Sequence, residues 1–303
     1  ENLKKLIESR INDKAQYSIE RCLEEMDKGK KCEIYEYGYI KDLENINSRN
    51  SYTRYCNIME ESPIDVFVLG DVNDSFIQET IEKNFGSLKT REQYKPLCFE
   101  ETRIEEVKYV FEEMNVNQGK LSLGFNTFVN PMHNDYYALL VYNGIFGGGT
   151  HSKLHQNVRE KAGLAYYAFS RLDKFRGAIV ASSGIEVSSY NRVLEIILEQ
   201  VEDMRKGNIS DYEFDATIKT LLTGIRALTD SPINTVDYYL SQFMSGSKTG
   251  FETLIDNIKK VTLDEVVDIA NRIRLNTVYF LRSKNGVNEE SIIGKTEGGS
   301  SNE

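Results

Sequence analysis

The chain has 303 residues, 40% hydrophobic and 28% charged, a balance suited to one large or two smaller globular units with proper cores. Its net charge of -10 argues against a general nucleic-acid surface or an anionic-membrane surface, since both need concentrated positive charge. Cys22, Cys32, Cys56 and Cys98 include no close pair, which argues against a zinc ribbon or a Cys-x-x-Cys redox centre and fits reduced thiols in the cytoplasm.

From the start of the chain, Leu3, Leu6, Ile7 and Ile11 set one apolar face of a helix expected over Glu1 to Met26. A polar bend at Lys28 to Lys31 leads to a second helical pattern, about Leu43 to Met59, that Pro63 ends. Ile64 to Leu69 is a short, β-branched, nearly continuous apolar run stopped by Gly70-Asp71, and reads as a buried strand. Asp74 or Ser75 then starts a helix over Phe76 to Asn84, and Lys89 to Thr102 reads as a linker.

Beyond the linker, strands are expected at Val107 to Met114 and Lys120 to Phe128, and an apolar helix over Tyr136 to Phe146. That helix feeds a glycine turn, a short helix and a strand over Leu164 to Arg171, followed by a strand at Ala178 to Gly184. Helices follow at about Ser189 to Lys206, Asp211 to Thr229, Thr235 to Met244, Phe251 to Ile258 and Leu263 to Ile273, the last started by a Thr262/Glu265 capping box. Asn276 to Arg282 closes the sheet. The expected class is α+β, with helices on one face of a mainly antiparallel sheet. The expected units are 1–95, 104–285 and a disordered tail, 286–303. No apolar stretch is long enough to span a bilayer; Ala138 to Tyr142 is typical.

The segment from Phe146 to Tyr167, FGGGTHSKLHQNVREKAGLAYY, carries the sharpest signal. Gly147, Gly148 and Gly149 permit a sharp turn or a close approach of main chain to a ligand. Thr150 is the expected N-cap, Leu154 and Val158 fall four apart, and Gly163 sits where a left-handed helix stop is expected. Arg159 and Tyr166 lie seven residues apart across that stop. Two readings fit: the pair converges as two donors on a peptide carbonyl, or Arg159 joins a surface ion pair while Tyr166 packs its ring.

Other chemistry fits less well. His151 and His155, four apart on a helix, could face a metal together, but no acidic or third histidine ligand has the spacing for a complete site. Lys153 follows Ser and precedes Leu, which breaks the phosphate-loop pattern. Ser245-Gly-Ser-Lys248 and Lys248-Thr-Gly250 echo serine β-lactamase motifs but overlap at one residue, and His133 reads as turn polarity.

The run FGGGTHSKLHQNVREKAGLAYY, with FRGAIVASSGIE and NISDYEFDATIKTLL after it, resembles the second half of the pitrilysin/insulinase family of zinc metallopeptidases. That family includes the mitochondrial processing peptidases and bacterial two-subunit peptidases. The fit runs through residues 119 to 283, and SPIDVFVLGDVNDSFIQETIEKNFGSL resembles the end of the family's first half. The resemblance implies mitochondrial processing peptidase-like α+β domains. It also implies that Arg159 and Tyr166 reach the substrate carbonyl and that Gly147, Gly148 and Gly149 line the chamber.

The family's zinc motif, His-x-x-Glu-His, is absent from this chain, whose only histidines are His133, His151 and His155. No catalytic residue and no metal ligand are therefore expected here, and zinc is expected on a partner or on a region before residue 1. The resemblance then implies a non-catalytic, peptide-binding subunit or portion that works beside a zinc-motif-bearing homologous subunit. Two alternatives stay open: a purely structural homologue, or a fragment of a self-sufficient zinc peptidase.

Overall fold

The structure of the chain is a computed structural model, and it describes residues 1–86, 106–129 and 131–283. Among these residues five strands form one sheet: β1 (Lys108–Glu113), β2 (Gly119–Asn126), β3 (Ala165–Asp173), β4 (Ala178–Ile185) and β5 (Arg274–Arg282). The order is β1-β5-β2-β4-β3, parallel between β1 and β5 and antiparallel elsewhere. The α+β class holds, and each strand lies within two residues of its expected bounds.

The described helices are α1 (Asn2–Ser9), α2 (Lys14–Met26), α3 (Ser48–Glu61), α4 (Asp74–Phe85), α5 (Asp135–Gly147), α6 (Tyr190–Arg205), α7 (Asp211–Thr229), α8 (Pro232–Met244), α9 (Phe251–Lys260) and α10 (Leu263–Arg272). Leu121, Leu123 and Phe125 of β2 alternate toward one face, where they join Ile179, Ala181, Val278 and Phe280 in the main core. On that face α5, α6 and α10 supply Leu139, Ile145, Val193, Ile197, Val266 and Ile269, while α7 and α9 close over α5. The Thr262/Glu265 capping box starts α10 as expected, and Ser210 with Glu213 does the same for α7.

The opposite face is covered too, by a helix that the sequence places in the first unit. Ile19, Cys22 and Met26 of α2 pack on Val180, Tyr279 and Leu281, so α2 crosses the expected division between 1–95 and 104–285. The physical reason is that both faces of the sheet are apolar and each must be buried. Ser122 and Gly124 make room: a Cβ at Gly124 would lie 2.2 Å from Met26 Sδ. Ser18 Oγ meets Ser122 Oγ at 2.8 Å beneath the helix. At the rim, Glu112 accepts from Tyr17 Oη and Tyr279 Oη, each at 2.7 Å, and from Arg21 Nε at 3.3 Å. Burial would raise the Glu112 carboxyl, but these three donors together hold it below its ordinary value of 4.5.

Residues 1–86 depart further from expectation. The single helix expected over Glu1 to Met26 is broken: Arg10–Asn12 form a 3₁₀ turn, and Asp13 restarts the chain by accepting from the amides of Ala15 and Gln16. The second helix starts at Ser48, because Asn47 caps it with a reciprocal bond from Asn50, and Asn73 caps α4. The expected strand at Ile64 to Leu69 is irregular, since no described strand lies beside it to accept its hydrogen bonds. Val66, Val68 and Leu69 are 47%, 50% and 53% exposed, the opposite of the burial their pattern predicts. Phe67 does meet Phe243 of α8, ring centroids 6.0 Å apart. The expected linker, the tail and Cys98 lie outside the described residues. No helix of the described residues is long and apolar enough to cross a membrane.

The Glu112 cluster gives a pH dependence. A carboxyl whose folded pKa lies below its unfolded value stabilises the fold above the unfolded value and loses that contribution as pH falls through the folded one. Unfolding free energy should therefore drop as pH falls below 4.5, and denaturant titrations of Glu112→Gln should show a flatter decline over the same window.

A cleft beside the edge strand

Strand β3 has a neighbour on one side only, β4, so it is a free edge among the described strands. The segment before it folds back against it. Helix α5 ends at Gly147, where a Cβ would stand 2.2 Å from the Ser170 backbone nitrogen and 2.5 Å from its Oγ, so only glycine lets the helix end touch β3. Ser170 Oγ clamps the contact by donating to Asn143 Oδ1 at 2.8 Å. The turn then runs through Gly148 and Gly149, and Ser152 N donates to Gly149 O at 3.1 Å.

The short helix after the turn is not an α-helix. Residues His155–Lys161 are π-helical, with Ala162 N donating to Asn157 O at 3.3 Å. Thr150, the expected cap, is exposed and offers only its carbonyl, to Gln156 Nε2 at 2.7 Å. Leu154 and Val158 are buried and pin the segment to the core, which leaves Arg159, Glu160 and Lys161 outside. Gly163, at φ +65°, is the left-handed stop that the sequence predicts.

A cleft of about 420 Å³ opens between this segment and β3, lined by the three glycines, His155, Arg159, Tyr167 and Phe169. Arg159 and Gly147, Gly148 and Gly149 thus share one wall system. Tyr166 is not among the lining residues. The β3–β4 register slips between Ala165 and Tyr167, and at that irregularity Tyr166 stands 58% exposed with its hydroxyl donated to Glu186 Oε1 at 3.1 Å. Tyr167 is among the lining residues, yet its ring lies on the α2 side of the sheet, over Gly184 and beside Lys120. Burial pushes its phenol up to about 12, and Lys120 Nζ stands 5.3 Å from its ring centroid. The hydroxyls of Tyr167 and Ser182 are both buried and without a hydrogen-bond partner among the described residues.

The cationic and imidazole groups of the turn have other tasks. Lys153 is buried, donates to Asn208 O at 2.6 Å and pairs with Glu213 Oε1 at 3.1 Å, so it braces α7 and is not presented to a phosphate. Burial would raise Glu213, but hydrogen bonds from Ser210 and the Lys153 ammonium hold it below its ordinary value. His151 is buried with Nε2 2.9 Å from Thr217 Oγ1, and desolvation pushes its pKa down against the pull of Glu213. His155 Nε2 accepts from Arg159 Nη1 at 3.0 Å. The two imidazoles therefore do not fit a shared metal, and no group of three His, Cys, Asp or Glu that could hold one occurs among the described residues. The i, i+4 spacing of His155 and Arg159 was available in the sequence as a signal for their contact.

A larger cleft, about 620 Å³, lies between α5, α9 and α10. Two of its acids are engaged, Asp135 with Arg272 and Glu265 in the cap of α10. None of the sequence-predicted site residues lines it.

A family model described as the peptidase M16 inactive domain matches residues 57–221. The chain is 34% identical over 94% of its length to a probable inactive metalloprotease, YmfF, of Bacillus subtilis, and 28% identical over 71% of its length to an uncharacterized zinc protease, YmxG, of the same organism. It spans 66% and 49% of those two relatives. Among solved structures, a conserved protein from Enterococcus faecalis superposes with a TM-score of 0.86 at 31% identity, over 95% of this chain and 68% of that one.

The seat of α5 on β3 gives a direct test. Gly147→Ala should cost about 1–3 kcal/mol in urea unfolding, because the obstacle is backbone and not a movable side-chain end. Unchanged stability would mean that the helix end is not pressed on the strand as described.

Proposed function

The chain belongs to the family of the M16 peptidase inactive domain, and from that premise we propose that it binds an extended peptide along the free edge of β3. In this reading it orients a peptide carbonyl for hydrolysis by a homologous zinc-bearing partner. The carrying observation is the cleft itself, which sets the exposed guanidinium of Arg159 beside an edge strand with no second neighbour among the described residues. An extended chain adds to such an edge through main-chain hydrogen bonds, with alternate side chains directed into adjoining pockets.

Arg159 is a fixed cation with donors to spare, and its half-exposed position spares it the penalty of a buried charge. Its nearest carboxylate oxygen, Glu160 Oε1, is 3.7 Å from Nε, a weak surface pairing that a bound carbonyl can displace. Tyr166 serves as a second donor by exchanging Glu186 for the peptide. Nothing in this account asks the chain to hold the metal. Among the described residues Cys22, Cys32 and Cys56 are unpaired thiols, which supports a reducing compartment such as the cytoplasm.

The test is peptide hydrolysis by the chain mixed with a zinc-motif homologue. Arg159→Ala should lower turnover of the mixture by about 100-fold, the usual scale for one lost carbonyl-polarising donor, while the unfolding midpoint stays put. Unchanged hydrolysis in an active assembly would reject the role and favour a part in assembly alone.

A further inference from the structure

The cleft holds one group that the peptide-binding reading leaves without a task. We propose that His155 is a positioning residue: as a neutral imidazole protonated on Nδ1, it accepts from Arg159 and keeps the guanidinium in the cleft against the pull of Glu160. This rests on the peptide-binding reading.

A guanidinium has five N–H donors and no acceptor, so the ring nitrogen 3.0 Å from Arg159 Nη1 must present its lone pair. That fixes the tautomer, with the proton on Nδ1. Nδ1 is buried and has no partner among the described residues, so the bond through Nε2 is the polar contact that sets the ring's orientation. The two side chains differ in exposure as the role requires: His155 is 15% exposed and Arg159 47%. A sunken acceptor therefore holds an outward cation by one arm and leaves its remaining donors for a peptide.

Glu160 is the competitor. Its Oε1 lies 3.7 Å from Arg159 Nε and 3.8 Å from His155 Nε2, on a side chain that is half exposed and free to swing. With the imidazole acceptor gone, Coulomb attraction draws the guanidinium toward that carboxylate and away from the cleft. From β3, the lining residues Tyr167, Ala168, Phe169 and Ser170 include no acid and so add no rival carboxylate.

The experiment uses the full chain and a fluorescein-labelled, unstructured apolar peptide long enough to run the length of β3. His155→Phe keeps a ring of similar size and removes the acceptor, whereas His155→Gln restores an acceptor at similar reach. Fluorescence anisotropy should show binding about tenfold weaker for Phe and within about threefold of the native chain for Gln, in keeping with one hydrogen bond to a charged group. Equal affinity for the Phe variant overturns the proposal. So does a Gln variant as weak as Phe, which would mean that ring shape and not the lone pair matters. Nitrogen NMR of the three histidines decides the question without any peptide. An unprotonated His155 Nε2 whose resonance moves in Arg159→Ala upholds the bond, and a protonated Nε2 overturns it. Failure of the native chain to bind peptide, with the bond intact by NMR, would count against the peptide reading and leave the pairing standing.

Discussion

The contact between the end of α5 and the middle of β3 is the constraint on which the site depends. A backbone nitrogen stands where the Gly147 side chain would be, and Ser170 ties the same point to Asn143. Because Gly147 and Ser170 meet there, the residues between them must loop out and return. The glycine turn and the π-helical stretch are that loop. Buried Leu154 and Val158 hold its inner side, so Arg159 has nowhere to go but the cleft rim. Site geometry here follows from a packing contact about ten residues away in sequence, not from the polar residues themselves.

The second face of the sheet obeys a different rule. Small residues, Ser122 and Gly124, let α2 lie close, and its rim is closed by a carboxylate that satisfies two tyrosines and an arginine. Each buried aliphatic chain such as Ile19 contributes about 1.5–3 kcal/mol, whereas the rim polar groups chiefly avoid the penalty of going unpaired. The helix that comes early in the chain is therefore as much a part of this sheet's core as the helices that follow it.

Much of this was legible in the sequence, and the exceptions are instructive. Strands and helices from 108 to 282 carry clean periodicity, and capping boxes such as Thr262 with Glu265 mark their starts. The π-helix was not legible, since Leu154 and Val158 recur at a spacing that an α-helix would also give and only the backbone bonds tell them apart. The slip beside Tyr166 was not legible either, because a one-residue irregularity in an edge strand leaves no mark in the residue pattern. Ile64 to Leu69 has the composition of a buried strand and lies exposed: pattern reports what a segment can pair with, and here no described strand is beside it.

The central claim is that peptide is held along β3. Amide hydrogen exchange with and without a bound peptide tests it most directly. The account predicts new protection within Ala165–Asp173 and at the glycine turn, with the opposite edge strand, Lys108–Glu113, unaffected. Protection confined to that opposite edge, or binding with no change at β3, would contradict it.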